Sequence, residues 1–356
     1  MLVWIFAFLI FNLIVLAHEF GHYITAKKFG VKVNEFALGM GPKLFKIVRE
    51  NTVYSMRCFP IGGFCELEGE ENDSESENSF GKISVWKRMI VMAAGAFMNI
   101  VVGLIFSIIC TVSRQGIPTT VVSGFSDSAV SVRTGLKVND EIISINNFKT
   151  HTDQDVLFAA GTAYDGNLDV EIIRNEKRMI IKGVKLNLIQ HNNRKVCEID
   201  FSLFGVKKNF VNVINYSVMN IVSFVRLTWK SIVWLIKGKV SLRDMAGPIG
   251  IASQIGSITS KGLEKGFADA ILGVVSFMVM FTISIGIFNL LPFPALDGGR
   301  ILMLTPELIS GKPLGKKIEY IINIVGFCLL ILLMIFAAYN DILRIIKNAF
   351  YGPDEI

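Results

Sequence analysis

Long apolar segments alternate with polar segments along this chain, and their lengths predict helices that cross a membrane. Residues 1–17 contain no charged side chain, and the first apolar run continues to about residue 26. Comparable segments lie at about 89–112, 270–291 and 320–340. A helix needs about 20 apolar residues to cross a hydrocarbon core of ~30 Å. The pattern therefore predicts about four transmembrane helices.

Basic residues flank these segments in a way that predicts their orientation. They cluster after the first segment, before the second, and between the third and the fourth. The clusters consist of Lys27, Lys28, Lys32, Lys82, Lys87, Arg88, Arg300, Lys312, Lys316 and Lys317. Lysine and arginine are enriched on the cytoplasmic side of membrane proteins. All three clusters lie on that side if both chain termini face outward, and we predict this topology.

The segments between the predicted spans have other patterns. Residues 33–67 contain strand-like stretches broken by glycine and proline, which mark turns. Residues 117–188 alternate apolar and polar positions over short runs, with one helical pattern near 153–160, as is typical of a small β-rich domain. Residues 210–235 are apolar but interrupted by asparagine, arginine and lysine. We predict that they form an amphipathic helix at the membrane interface and not a fifth span.

Composition agrees with a membrane protein and argues against other classes. The 356 residues are 52% hydrophobic and 19% charged, whereas average soluble domains carry about 25% charged residues. The net charge is +6, and no long basic tract is interleaved with aromatic residues, so nothing indicates nucleic-acid binding. Five scattered cysteines without a CxxC pair do not indicate a disulfide framework.

Residues 18–22, which read His-Glu-Phe-Gly-His, are the strongest chemical signal in the chain. Positions i and i+4 share one face of a helix. Two imidazoles so placed can hold one Zn²⁺, and Glu19 can then reach the attacking water. An ionisable residue within a membrane helix costs at least ~2.5–3.5 kcal/mol. The alternative, two histidines packed in a core, leaves the carboxylate of Glu19 without a partner.

A catalytic zinc site needs a third protein ligand and one open position. Asp297 follows the third predicted span, in the stretch Asn-Leu-Leu-Pro-Phe-Pro-Ala-Leu-Asp-Gly-Gly at residues 289–299. The predicted topology places Asp297 on the same side of the membrane as His18 and His22. The two prolines break the helix, which is tolerated at membrane depth where protein or water satisfies the backbone. A loop aspartate without a metal role fits this spacing equally well.

These two motifs resemble the site-2 protease family of intramembrane zinc metalloproteases, and within it the RseP-like regulators of sigma-factor signalling. The resemblance covers nearly the whole chain, because the order of spans and the inserted soluble domain also fit. It implies that His18, His22 and Asp297 bind Zn²⁺ and that Glu19 is the catalytic base. It further implies that Asn289 lies near bound substrate.

Three weaker resemblances accompany it. Residues 94–99, Ala-Gly-Ala-Phe-Met-Asn, are similar to a family pattern with proline in place of Ala96, and this implies Asn99 as a second substrate-binding residue. An ordinary hydrogen bond between helices is the alternative for Asn99. Residues 135–147 resemble a PDZ domain in which asparagines 139 and 147 replace glycines. The segment 33–67 resembles a membrane-associated β-hairpin. It would offer a free edge to an extended substrate at 36–40 or 52–56.

The expected fold is an α-helical integral membrane protein with about four transmembrane helices, a membrane-associated β-hairpin and an inserted PDZ-like domain. We expect four regions. They are a first half of the membrane core at 1–116, the PDZ-like domain at 117–205, an amphipathic connection at 206–264 and a second half of the core at 265–356.

The expected function is hydrolysis of peptide bonds in single-span membrane proteins, such as anti-sigma factors or signal-peptide remnants. The resemblance implies a bacterial cytoplasmic (inner) membrane, with the PDZ-like domain outside and the active site towards the cytoplasm. The PDZ-like domain would then act as a steric gate, with a receptor for peptide carboxylates as the alternative. A transporter and a non-catalytic membrane scaffold are the alternatives. A transporter predicts inverted repeats, which the sequence does not show, and a scaffold gives Glu19 no role.

Overall fold

The computed structural model describes residues 2–70, 74–162, 166–191, 194–240 and 245–351. The helices in chain order are α1 (Leu2–Lys28), α2 (Val85–Ser113), α3 (Asp153–Gly161), α4 (Phe210–Ile236), α5 (Pro248–Leu263), α6 (Phe267–Asn289), α7 (Asp297–Ser310) and α8 (Lys316–Tyr351). The strands are β1 (Val33–Arg49), β2 (Thr52–Leu67), β3 (Ile117–Phe125), β4 (Glu141–Ile145), β5 (Phe148–Lys149), β6 (Asn167–Arg174), β7 (Lys177–Lys185), β8 (Asn187–His191), β9 (Arg194–Glu198) and β10 (Phe201–Val206).

The chain forms two compact units. The first comprises Met1–Phe106 and Gly250–Ala338, and the second comprises Ser107–Ile249 and Tyr339–Ile356. The first unit contains most of the apolar helices and the hairpin of β1 and β2. The second contains a larger sheet with α3 and α4.

Within the described ranges, five helices are long and apolar enough to cross a membrane. They are α1, α2, α4, α6 and the part of α8 at Lys317–Ile346. Four of these occupy the segments that the sequence predicts as spans, so several long apolar helices are confirmed. The fifth, α4, meets the same criteria of length and composition, and its predicted place at the interface stays a prediction.

Glycine permits close packing among α1, α2 and α6 in the first unit. A Cβ atom at Gly21 of α1 would lie 2.3 Å from the carbonyl oxygen of Ala94 in α2. A Cβ atom at Gly286 of α6 would lie 3.1 Å from the carbonyl oxygen of Ala96. Apolar helices in lipid associate through such close backbone contacts, because lipid removes most of the hydrophobic drive. The glycines thus hold α1 and α6 against one segment of α2.

The hairpin of β1 and β2 curls so that parts of each strand pair twice. Residues 35–38 of β1 pair with 63–66 of β2 on one side and with 53–56 on the other. Residues 43–49 of β1 pair with the far side of the 53–56 stretch. Gly39 has a φ angle of 84°, a left-handed value that suits glycine and lets β1 turn at this point.

This curl corrects the prediction of the free edge. Residues 36–38 and 53–56 have partners on both sides, so the prediction that they offer an edge to a substrate was wrong. The sequence pattern indicated the strands but not the second pairing, which depends on the register shift near Gly39. The edges of the curled sheet are instead residues 63–67 and residues 43–49.

A tight turn joins α6 to α7. A Cβ atom at Gly298 would lie 2.3 Å from the carbonyl oxygen of Leu290, and one at Gly299 would lie 2.2 Å from that of Phe293. Both positions therefore require glycine. Asp297 is the first residue of α7 and not a loop residue. The turn fixes its position because α7 starts directly against the loop that follows α6.

The second unit contains a six-stranded antiparallel sheet in the order β10-β3-β4-β6-β7, with β5 paired to β4. Its core includes Val122, Ile142 and Ile172, all fully buried. Asn139 and Asn147 have φ angles of 70° and 62°, the left-handed values that glycine adopts most easily. Asparagine is among the few other residues that tolerate them, so the two replacements are compatible with the turns.

Helix α4 lies along α3 in the second unit. The hydroxyl of Tyr216 donates a hydrogen bond to Asp153 near one end of α4. The hydroxyl of Ser223 donates a hydrogen bond of 2.7 Å to Asp155. Near the other end of α4, the ring of Trp234 stacks on an aromatic ring of α3. Residues 216 to 234 span about 27 Å at 1.5 Å per residue. One face of α4 therefore contacts the sheet domain along most of its length.

We predict that Gly21→Ala separates α1 from α2, because the added methyl group has no space beside the carbonyl of Ala94. Overpacking of this kind typically costs about 1–3 kcal/mol. The unfolding temperature of the purified protein in detergent should fall by several degrees. Gly161→Ala on α3 is the matched control, because no described atom lies within 4 Å of its added Cβ. Equal unfolding temperatures for the two variants would contradict the packing argument.

Candidate active site

A cavity of about 550 Å³ opens in the first unit. It is lined by His18, Glu19 and His22 of α1, by the C-terminal part of β2, and by Asp297 and Arg300 of α7. Helix α1 presents the first three residues on one side, as the spacing of residues 18–22 predicts. The turn after α6 brings Asp297 to the same cavity. Three ligand candidates from two distant parts of the chain thus meet in one place.

The ligand atoms of these three residues face one another. Nε2 of His18 lies 3.1 Å from Oδ2 of Asp297, and Nε2 of His22 lies 3.5 Å from the same oxygen. The two Nε2 atoms are 3.3 Å apart. In a tetrahedral zinc site with bonds near 2.0–2.2 Å, ligand atoms are separated by about 3.3 Å. The three distances match those of a zinc site with one position left open.

The charge state of the site agrees with cation binding. Burial by itself raises the pKa of the Asp297 carboxyl, but hydrogen bonds and charge from His18 and His22 bring that pKa to about 2. Asp297 is therefore a carboxylate at neutral pH. A cation that replaces the proton shared by these groups would be bound by the lone pairs of two neutral imidazoles and of the carboxylate, and would remove their mutual repulsion. The residues present thus fit a zinc ion.

Gly95 of α2 makes room for the two imidazoles. A Cβ atom at this position would lie 2.4 Å from Nε2 of His22 and 2.8 Å from Nε2 of His18. Any other residue would therefore push against both ligand atoms. Gly95 lies inside the motif at 94–99, but the motif did not predict a role for it in the site. In the sequence, the only indication of its role is that a small residue occupies this position of the motif.

Glu19 lies between the histidines in sequence and faces β2. The backbone N–H of Cys65 donates a hydrogen bond to its carboxylate. Burial, followed by the nearby charge of Glu19, raises the pKa of the Cys65 thiol to about 12. The thiol therefore stays protonated at neutral pH and is a poor ligand or nucleophile. Glu19 is the carboxylate beside the three ligand candidates.

The two asparagines predicted near the substrate lie on opposite sides of His18. Nδ2 of Asn289, the last residue of α6, is 3.4 Å from Nε2 of His18, on the side of Asp297. Nδ2 of Asn99 is 3.4 Å from Nδ1 of His18. Asn99 is fully buried, whereas Asn289 is half-buried. The remaining ring nitrogen, Nδ1 of His22, is 2.8 Å from the carbonyl oxygen of Val91.

Arg300 is a further residue of the cavity that the sequence analysis did not assign to the site. It follows Asp297 by three residues on α7, so the two side chains share a helix face. Its guanidinium forms an ion pair with Glu70, beside the C-terminal end of β2. The spacing from Asp297 could have predicted the direction of the Arg300 side chain. Only the fold shows its ion pair with Glu70.

Residues 6–333 match the sequence model of peptidase family M50. The chain belongs to peptidase family M50. Its relatives include a protein of Clostridium perfringens, named as a candidate zinc metalloprotease, which is 33% identical over 95% of this chain and 98% of its own. A similarly named protein of Clostridium acetobutylicum is 31% identical over 95% of this chain and 96% of its own.

A third relative carries a more specific name. It is the regulator of sigma-W protease RasP of Bacillus subtilis, which is 26% identical over 95% of this chain and 97% of its own. The matched region of the M50 family includes both helices that contribute ligand candidates, α1 and α7. The resemblance inferred from the motifs is therefore confirmed at the level of the family.

We predict that Gly95→Ala lowers zinc affinity by more than about tenfold, because its methyl group displaces the imidazoles of His18 and His22. Metal content after competition with a chelator measures this. Gly103→Ala, two turns further along α2, is the control, because its methyl group meets only the side chains of α6 residues. If both variants keep the zinc affinity of the wild type, the proposed position of the ion is wrong.

Proposed function

We propose that this chain is an intramembrane zinc metalloendopeptidase that hydrolyses peptide bonds in single-span membrane proteins. One observation carries the proposal. Three ligand candidates and the carboxylate of Glu19 share a cavity lined by α1, β2 and α7, in a chain from peptidase family M50. The names of its relatives support zinc as the metal. His18, His22 and Asp297 would hold the ion.

A zinc ion held by His18, His22 and Asp297 would polarise the scissile carbonyl and lower the pKa of the attacking water. Glu19 takes the proton from that water as general base and later delivers it to the leaving amine. The hydrogen bond from the N–H of Cys65 holds the carboxylate of Glu19 in the cavity. Asp297 and the two histidines keep the acceptor atoms directed at one point.

Substrate binding requires an unwound backbone, because a helical substrate hides its amides in i→i−4 hydrogen bonds. The edge at residues 63–67 of β2 lies beside Glu19 and lines the cavity at Phe64 to Leu67. This edge pairs with β1 on its inner side only. An extended substrate segment added to the outer side would present its backbone to the catalytic carboxylate.

Asn289 is placed to contact the substrate near the scissile bond. Its amide lies beside Nε2 of His18, on the side where the ion would bind. An amide at this position can donate a hydrogen bond to a substrate carbonyl oxygen as negative charge develops on it. Removal of one such donor typically slows catalysis by about 10²–10³-fold.

We place the protein in a bacterial cytoplasmic membrane, with both termini and the PDZ-like sheet domain outside and the active site towards the cytoplasm. The basic clusters support this orientation. The contacts of α4 with α3 support an interfacial position for it, and its Asn220 bonds to Ser107 near the end of the second predicted span. The outer face of α4 carries exposed apolar residues that suit the interface.

The substrates that we propose are membrane-anchored regulators, such as anti-sigma factors, or signal-peptide remnants. The name of the Bacillus subtilis relative, a regulator of sigma-W protease, supports the first class. The sheet domain would act as a steric gate that excludes substrates with bulky outer domains.

We predict that Glu19→Gln retains zinc but cleaves single-span peptides about 10²–10⁴-fold more slowly, because the amide cannot accept the proton of water. Zinc content and cleavage of a peptide panel with helix-breaking residues are measured on the same detergent-purified protein. Equal cleavage by the variant, or a wild type that binds no zinc, would reject the protease assignment and favour a transporter or a scaffold.

We predict that Asn289→Ala slows cleavage by about 10²-fold or more while zinc content is unchanged, because it removes a contact to the reacting carbonyl and not a ligand. Single-turnover cleavage and metal analysis distinguish the two effects. Loss of zinc from this variant would instead assign Asn289 to the metal site.

A further inference from the structure

Asn99 of α2 occupies a position that does not suit contact with a substrate. Its relative exposure is 0%, and it is not among the residues that line the cavity. Nδ2 of its amide lies 3.4 Å from Nδ1 of His18. Nδ1 is the ring atom opposite the one directed at Asp297. Asn99 therefore touches the outer side of a ligand candidate and not the space that a substrate enters.

The packing of α6 holds Asn99 in this place. The hydroxyl of Thr282 donates a hydrogen bond of 3.2 Å to the backbone carbonyl of Asn99. A Cβ atom at Gly286 would lie 3.2 Å from Cβ of Asn99. The side chain is thus enclosed by α1, α2 and α6, with little freedom to leave His18.

The contacts of His22 show how a hydrogen-bond partner of Nδ1 supports a metal ligand. A histidine that binds metal through Nε2 carries its proton on Nδ1, and this N–H needs an acceptor that sets the ring orientation. For His22 the acceptor is the carbonyl oxygen of Val91, at 2.8 Å. For His18, Asn99 is the partner of Nδ1 among the described residues.

The amide of Asn99 can form a hydrogen bond with either tautomer of His18. With Nδ2 towards the ring, it donates to an unprotonated Nδ1, and the proton then sits on Nε2, which cannot bind a metal. In this arrangement Oδ1 is buried without a hydrogen-bond partner among the described residues. Rotation of the amide by half a turn directs Oδ1 at Nδ1–H. The two orientations differ only in which amide atom faces the ring.

We propose that Asn99 is a positioning residue for the zinc ligand His18, whose Nδ1–H donates to Oδ1 of Asn99 when Nε2 binds the ion. The proposal rests on the zinc-binding part of the proposed function. It gives Asn99 a different role from the substrate contact that the motif implied. Partners of this kind typically change metal affinity by 10–100-fold.

The test compares the zinc affinities of three proteins in detergent, measured by competition with a fluorescent chelator. Asn99→Leu keeps the number and branching of the side-chain heavy atoms but offers neither donor nor acceptor, and we expect its zinc affinity to fall by 10–100-fold. Asn99→Asp offers acceptors only, and we expect it to retain zinc affinity close to that of the wild type. Asn99→Ala serves in place of Asn99→Leu if the leucine does not fold, because alanine is small and favours a helix.

Asn220→Leu is the matched control. Asn220 is also a buried helical asparagine with Oδ1 lacking a partner among the described residues. Its Nδ2 donates to Ser107 and not to a histidine. We expect its zinc affinity to equal that of the wild type, so that general destabilisation by a leucine is separated from loss of the contact to His18.

The outcomes separate the inference from the protease assignment. If Asn99→Leu and Asn99→Ala bind zinc as tightly as the wild type, the positioning role is wrong, even if the wild type cleaves peptides. If Asn99→Asp loses affinity as much as Asn99→Leu, the assignment of Oδ1 as acceptor is wrong. If the wild type binds zinc without cleaving and Asn99→Leu loses affinity, the inference holds while the proposed function fails.

Discussion

The mutual approach of three lone-pair donors is the constraint on which the rest of the structure depends. Two imidazole nitrogens and a carboxylate oxygen lie 3.1–3.5 Å apart between apolar helices. Without a cation or a shared proton such an arrangement is unfavourable, and in a medium of low dielectric constant the cost is larger than in water. A metal ion turns this repulsion into binding energy. The surrounding packing therefore has to hold side chains that would otherwise separate.

Small residues and tight turns meet this requirement. Gly21 lets α1 approach α2, Gly95 leaves room for both imidazoles, and Gly298 with Gly299 folds α7 back onto the loop after α6. Each is a position where a single methyl group would collide with backbone or with a ligand atom. The site is thus built by close backbone approach, which is the same means by which helices associate in lipid.

Peptide hydrolysis in a membrane also needs polar groups that an apolar helix bundle does not supply. The hairpin of β1 and β2 provides them, because its edge at residues 63–67 lies beside Glu19 and lines the cavity. The N–H of Cys65 already bonds to Glu19. Backbone groups along this edge can pair with a substrate that has lost its helical hydrogen bonds. Under the proposed function, this one element would both orient the base and offer a template for the unwound substrate.

The sequence by itself determined the apolar helices, the β-rich segments and the pair His18 and His22, because hydrophobic period and i, i+4 spacing are local properties. It suggested Asp297 only as one of two alternatives. The tertiary structure decided that Asp297 meets the histidines, that Asn99 lies behind His18, and which edge of the hairpin is free. These features depend on contacts between residues far apart in the chain, and no local pattern encodes the register shift near Gly39 or the turn that carries Asp297 back to α1.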